Sequence, residues 1–183
     1  GGGRGACGLR QPARSGSQDG EDIVYHYDLG NDLYALFLDP SMTYSCGVFT
    51  EPGTSLEAAQ REKYRRICAK LELGPDDHVL EIGCGWGAVA VHAATHHGCR
   101  VTALTLSPDQ HRVASDRVAA VGLGHLVEVR LEDYRATAGR YDKIASIEML
   151  EAVGAAEHRR FYQAADRLLT PDGRMCILVI TIA

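Results

Sequence analysis

The sequence predicts an α/β fold: a doubly wound, mostly parallel sheet with helices on both faces. Three observations carry that prediction. Beyond residue 74, strand-like and helix-like patterns alternate five times, and such an alternation closes as right-handed crossovers between parallel strands. The first of these strands runs straight into glycines at alternate positions, the usual junction between a central strand and a ligand-facing helix. The chain has 183 residues, 45% apolar and 23% charged. That is enough for one core, and it excludes a disordered chain, a collagen repeat or a heptad rod.

Residues 1–20 hold seven of the twenty glycines and almost nothing apolar, so they read as a disordered leader. Residues 21–73 read as an N-terminal helical lid. Two short helical stretches meet at Gly30, with Asn31 as the cap of the second and Leu33, Tyr34, Phe37 and Leu38 on one face. Thr54-Ser-Leu-Glu57 is a capping box, and the helix it opens runs to about Leu73, where Gly74-Pro75 stops it. Residues 74–183 carry the sheet. A strand at 78–82, a helix at 88–97 ending at Gly98 and a strand at 100–105 come first. Ser107 caps the next helix, with Pro108 in its first turn and Gln110 closing a second capping box, and Gly122 ends it. Strands at about 126–131, 142–147 and 174–182 complete the pattern, the last two separated by a helix near 156–169.

A net charge of -5 argues against a protein living on nucleic-acid phosphate. No apolar run approaches the ~20 residues that span a bilayer, and the Gly/Arg start lacks the apolar core of a signal peptide. The expected compartment is therefore cytoplasmic. Cys7, Cys46, Cys68, Cys84, Cys99 and Cys176 show no C-x-x-C spacing and read as reduced thiols. His92, His96 and His97 suit a helix C-terminus, and no acidic partner stands near them for a metal site.

The ligand crevice of a doubly wound sheet lies at the carboxyl ends of its strands. There the first strand enters Glu81-Ile-Gly83-Cys84-Gly85-Trp86-Gly87, whose glycines let the backbone turn sharply and approach a ligand closely. Gly85, Gly87 and Ala90 also satisfy G-x-G-x-x-A, so a nicotinamide-dinucleotide site is an alternative. Such sites place an acid about twenty positions on, whereas the second strand here ends in Thr105-Leu106-Ser107, with no acid until Asp109. The acid-x-Gly-x-Gly-x-Gly loop instead resembles the S-adenosylmethionine site of class I methyltransferases.

Five strings make the resemblance specific: YHYDLGNDLYALFLDPSMTYSCGVF (25–49), LEIGCGWGAVAVHAA (80–94), VTALTLSPDQ (101–110), EDYR (132–135) and SIEMLEAVG (146–154). They resemble, in order and spacing, the cyclopropane-fatty-acyl-phospholipid synthase family, which includes the mycolic acid cyclopropane synthases. The resemblance implies methyl transfer from S-adenosylmethionine to the cis double bond of an unsaturated acyl chain, commonly in a membrane phospholipid. An alkene is a poor nucleophile, so the donor must be held in line, and the resulting carbocation must be kept dry. Aromatic faces suit that cation, and Tyr25, Tyr27, Tyr34, Phe37, Tyr44, Phe49 and Trp86 are the candidate walls.

Carried over motif by motif, the resemblance places the donor against Tyr44 and Ser45, then Gly83, Cys84, Gly85, Trp86 and Gly87. Thr105, Leu106, Ser107 and Gln110 come next, with Leu131 and Glu132 beside the adenine. Ser107 and Gln110 also suit plain helix capping, and Glu81 suits orienting the loop. In this family a bound bicarbonate is thought to accept the proton, which implies Cys46 through its backbone amide, Glu151, and Ile182 through its carbonyl. A small core thiol and a solvated loop acid are the plainer readings of Cys46 and Glu151.

The chain departs from the family in three places. Many members read EHVG where it reads Glu151-Ala152-Val153-Gly154, a form similar to enzymes making methyl-branched products, and the His or Gln expected before the Thr-Ile pair is Ile180. The chain also stops just after the fifth strand, where the resemblance implies two more strands and much of an acyl tunnel. The fifth strand is then an exposed edge suited to self-association, and activity is expected to be weak or absent. The leading expectation is a lipid-modifying transferase peripheral to the membrane, with residues 22–38 over the site. A small-molecule O- or N-methyltransferase and an inactive donor-binding fragment are the alternatives.

Overall fold

The computed structural model describes residues 30–181. Strands β1 (His78–Ile82), β2 (Arg100–Thr105), β3 (Val127–Leu131), β4 (Tyr141–Ile147) and β5 (Leu169–Leu178) form one parallel sheet in the order β3-β2-β1-β4-β5. Helices α1 (Asn31–Ala35), α2 (Leu56–Leu71), α3 (Ala88–His97), α4 (Pro108–Ala120) and α5 (His158–Leu168) accompany it, the last entered through a 3-10 turn at Ala155–Glu157. The doubly wound sheet expected from the sequence is present. No helix among the described residues is long and apolar enough to cross a membrane.

Side chains alternate along each strand, so the sheet feeds two cores. Val79, Val101, Ala103 and Val127 pack with Cys68 of α2, Ala90, Ala93 and Ala94 of α3, and Val118 of α4. Leu80, Ile82, Leu104 and Ile144 face the other way, onto Phe161, Ala165 and Leu168 of α5. The chain therefore winds outward from β1 to β3 under one layer of helices, then crosses to β4 and β5 under the other. The carboxyl ends of β1 and β4 are left side by side at the switch point, where such a sheet opens a crevice.

Four local expectations are corrected. Ser55, not Thr54, caps α2, accepting from the Ala58 amide at 3.2 Å, while the Thr54 hydroxyl donates to the Glu51 carbonyl at 2.8 Å and closes the preceding turn. Asn31 does not cap α1: the chain enters through Gly30 at φ 81°, and the Asn31 side-chain Oδ1 accepts from the Trp86 indole at 2.8 Å. Gln110 closes no capping box, because its side chain accepts from the Thr105 hydroxyl. Strand β5 starts at Leu169 and ends at Leu178, because Leu169 pairs with Tyr141 before Thr170-Pro-Asp-Gly173 bulges out, and pairing resumes at Arg174 opposite Lys143. Tyr25, Tyr27, Ile182, the leader and the first helical stretch lie outside the described residues.

Phe161 is fully buried and stands edge-on to Tyr134 at 5.3 Å between ring centres. Phe161→Ala should lower unfolding stability by about 3–5 kcal/mol, read from urea midpoints. A loss under about 1 kcal/mol would mean that α5 is not a load on this core.

Candidate functional site

Glu81, the last residue but one of β1, is 3% exposed. Its carboxylate accepts from the Ala90 amide in the first turn of α3, and its Oε2 has no hydrogen-bond partner among the described residues. Burial pushes this carboxyl up to about 8. Between those ends the loop turns through Gly83, Gly85 and Gly87, all at positive φ. Gly87 has no alternative, since a Cβ there would lie 2.9 Å from Cβ of Ala114, in a conformation that side chains avoid. A Cβ on Gly85 would meet only open space, on the side of the cleft. The Gly83 and Cys84 amides both donate to the Leu104 carbonyl, at 3.1 and 2.8 Å, which ties the loop to the end of β2. Helix α3 has no side-chain cap, so its first amides and the positive end of its dipole open toward the cleft.

The cleft encloses about 1160 Å³, part of it open to solvent. Of the predicted donor residues, Tyr44, Ser45, Glu81, Gly83, Cys84, Gly85, Trp86, Thr105, Leu106, Gln110 and Glu132 line it. Gly87, Ser107 and Leu131 do not: Gly87 supports the turn, Ser107 caps α4 by accepting from the Gln110 amide at 3.3 Å, and Leu131 is half exposed. Tyr34 and Phe37 stand behind the wall rather than in it. The Tyr34 ring packs 5.0 Å from Trp86, 5.1 Å from Tyr44 and 5.8 Å from Phe37, and Phe49 is exposed.

The second wall is a strap, residues 39–46, held from several sides. The Asp39 carboxylate accepts from the Ser41 amide at 3.1 Å, and Tyr64 of α2 bonds to the Ser41 and Thr43 hydroxyls. Gln60 donates to the Ser45 carbonyl at 2.8 Å, and Lys63, 1% exposed, donates to the Ser45 hydroxyl. Burial pulls the Lys63 ammonium down to about 8, against the opposing pull of Cys46, Glu148 and Asp39. Arg117 of α4 donates to the Ser41 and Pro40 carbonyls and, at 3.0 Å, to the Trp86 carbonyl. It thereby couples strap and glycine loop. Sequence reasoning missed both cations. Lys63 carries a signal, because it falls on the stripe Ala59, Gln60, Lys63, Tyr64, Ile67, Cys68, Leu71 that α2 buries.

The acids at the far end are arranged differently from the expectation. Glu151 is exposed and accepts from the Ile180 amide, outside the cleft wall. The carboxylate that meets the Cys46 amide, at 2.8 Å, belongs to Glu148, directly after β4, and Glu148 lines the cleft. The backbone at Glu148 is left-handed, φ 49°. These residues do not fit a bound bicarbonate. The Cys46 amide is already taken, Glu151 is turned away, and a carboxylate at the amide repels a second anion. The donor fits better, because a pre-turned glycine loop, an uncapped helix start and an unpartnered buried acid converge on one cleft.

Comparison with known proteins identifies the family and the fold. The family model described as mycolic acid cyclopropane synthetase matches residues 14–183. Tuberculostearic acid methyltransferase UfaA1 of Mycobacterium tuberculosis is 44% identical over 178 residues, covering 93% of this chain and 42% of that protein. Cyclopropane-fatty-acyl-phospholipid synthase of Escherichia coli K12 is 40% identical over 148 residues, covering 81% of this chain and 37% of that protein. Among solved structures, mycolic acid cyclopropane synthase CmaA1 complexed with SAH and CTAB superposes with a TM-score of 0.83 at 35% identity, over 86% of this chain and 55% of that one. The chain thus spans 42% and 37% of the two curated relatives.

Two outcomes test the site. The Glu81 carboxyl keeps its proton to about pH 8 in the folded chain and releases it near its ordinary 4.5 when unfolded. Its contribution to stability is therefore complete below the lower value and lost as pH rises through the upper one. The difference in urea midpoint between the parent and Glu81→Gln should shift against the parent from pH 5 to 8, and a pH-independent difference would remove Glu81 from that role. Arg117→Met should speed amide hydrogen exchange in residues 39–46 by about tenfold or more, the loss of several charge-assisted bonds, with β1 and β4 unchanged. Equal exchange in parent and variant would show that the strap holds without it.

Proposed function

This chain belongs to the mycolic acid cyclopropane synthetase family, and on that premise we propose that its cleft binds S-adenosylmethionine and directs a methyl group onto the cis double bond of an unsaturated fatty acyl chain. The observation that carries the reading is the convergence on one cavity of the glycine loop after β1 with Tyr44 and Ser45 of the strap. The donor, when bound, supplies an electrophilic methyl on a sulfonium. The chain's own residues do the rest. The first amides of α3 and the backbone at Gly83 and Gly85 receive the polar end of a nucleoside-sized ligand, while Glu132, next to the end of β3, stands where a ribose or base is recognised. Trp86 and Tyr44 line the cleft and pack on Tyr34, an aromatic wall suited to a cation.

The substrate end is apolar. Ile147, Met149, Ala152 and Val153 line the cleft beyond the glycine loop, as an acyl chain requires. Outside, Leu36 is 82% exposed and Phe37 and Tyr44 each 54%, a rim suited to a membrane surface and to an acyl chain borne by a phospholipid. The product is a cyclopropane or a methylene- or methyl-branched chain. The names of the two curated relatives span both. Strand β5, paired only to β4 among the described residues, offers an edge for self-association.

The test is transfer of label. The chain, alone and fused ahead of the remaining residues of the Escherichia coli relative, is incubated with methyl-labelled S-adenosylmethionine and vesicles of oleoyl phospholipid. Label in the acyl chains, with a mass gain of one methylene, is the expected result, and two further hydrogens are gained only where a hydride donor is added. Label confined to water-soluble acceptors, or none in either form, would overturn the reading.

A further inference from the structure

Five carboxylates line the cleft: Glu81, Glu132, Asp133, Glu148 and Glu157. Three are neutralised, Glu132 by Arg130 at 3.8 Å, Asp133 by Arg135 at 2.6 Å and Glu157 by Arg160 at 3.0 Å. Glu81 is committed beneath the glycine loop to the Ala90 amide. Glu148, like Glu81, has no cationic side chain within 4 Å among the described residues, but it stands in the wall rather than beneath the loop, fixed by the Cys46 amide at 2.8 Å and beside the Cys46 thiol. Its neighbours in sequence, Ile147 and Met149, are the apolar lining where an acyl chain would lie. A Cβ on Gly83 would collide with the Met149 side chain, so the segment carrying Glu148 packs directly on the donor loop. Lys63 supplies a positive field nearby without forming an ion pair.

The geometry points to Glu148 as the built-in proton acceptor of the reaction, in the place where a free anion would otherwise have to bind. This assignment rests on the acyl-chain transferase reading above. The alkene's π pair bonds one of its carbons to the donor methyl as the S–CH3 bond breaks and a neutral thioether leaves, so the other former alkene carbon is cationic. A C–H bond of the new methyl then breaks, its electron pair closes the bond to the cationic carbon, and the proton passes to the Glu148 carboxylate. The products are a neutral three-membered ring and a neutral carboxylic acid, which returns its proton to solvent. Until then the carboxylate also stabilises the cation it faces. A base positioned in this way is commonly worth about 100-fold or more in rate, and holding it by a backbone amide keeps it from the solvent-facing guanidiniums.

The experiment compares the parent with Glu148→Gln and Glu148→Gly, in the fused form and with labelled donor and oleoyl phospholipid vesicles, in buffer freed of carbon dioxide and again with added bicarbonate or formate. Glutamine can still accept from the Cys46 amide, so thermal midpoint and affinity for S-adenosylhomocysteine should stay within about twofold of the parent while acyl labelling falls by about 100-fold. Glycine relieves the left-handed backbone and vacates the amide, so bicarbonate or formate should restore part of the rate to Glu148→Gly and leave the parent unchanged. Acyl labelling by Glu148→Gln within threefold of the parent, or a parent rate that depends on bicarbonate, overturns the assignment and leaves the transferase reading standing. A parent that labels no acyl chain overturns both.

Discussion

Glu81 accepts the Ala90 amide across the glycine loop, and the rest of the cleft is arranged around that bond. It joins the last turn of the central strand to the first turn of α3, so the intervening glycines have one path. Desolvating a carboxyl this deeply is expensive, and the charge is shed by holding the proton. A neutral acid here can donate as well as accept, which lets the bottom of the cleft meet either kind of ligand group. With the loop fixed, the Leu104 carbonyl can receive both the Gly83 and Cys84 amides, and β2 brings Thr105, Leu106 and Gln110 to the same opening.

The strap depends on the loop in turn. Its contacts reach three helices, through Tyr64, Gln60 and Lys63 of α2, Arg117 of α4 and the α1 aromatic Tyr34. Most of these side chains bond to main-chain carbonyls or small hydroxyls, so the strap keeps a defined course with little regular structure of its own. Arg117 spans strap and loop together, and a ligand seated between them would meet a single preformed wall. Buried Lys63 and half-buried Arg117 also offset the acids of the site, Asp39 and Glu148 for Lys63, Asp39 for Arg117.

Much of this was legible in the residues. Strands β1 and β2 and helix α3 fall where punctuation is strong: the strand run into Gly83, the helix stop at Gly98 and the Ser107-Pro108 start are local signals that tertiary packing had no reason to override. The donor loop was legible for the same reason, since its chemistry is carried by backbone and by consecutive residues. What escaped is non-local. The Leu169–Tyr141 pair is formed across the sheet from a strand whose middle, Thr170 to Gly173, reads as a turn. Glu148 and Glu151 are the same residue type three positions apart, and the left-handed backbone at 148 goes with the one that reaches Cys46. Lys63 and Arg117 sit among charged neighbours that suggest a solvated face, although the α2 stripe of buried residues contains the former.

The left-handed conformation at Glu148 has a consequence for how the sequence can drift. A glutamate at φ 49° costs about 1 kcal/mol or more relative to glycine, and glycine there would relax the backbone while losing the bond to the Cys46 amide. Position 148 therefore sets two demands against each other: the strap gains a carboxylate at the Cys46 amide, and the backbone carries the strain.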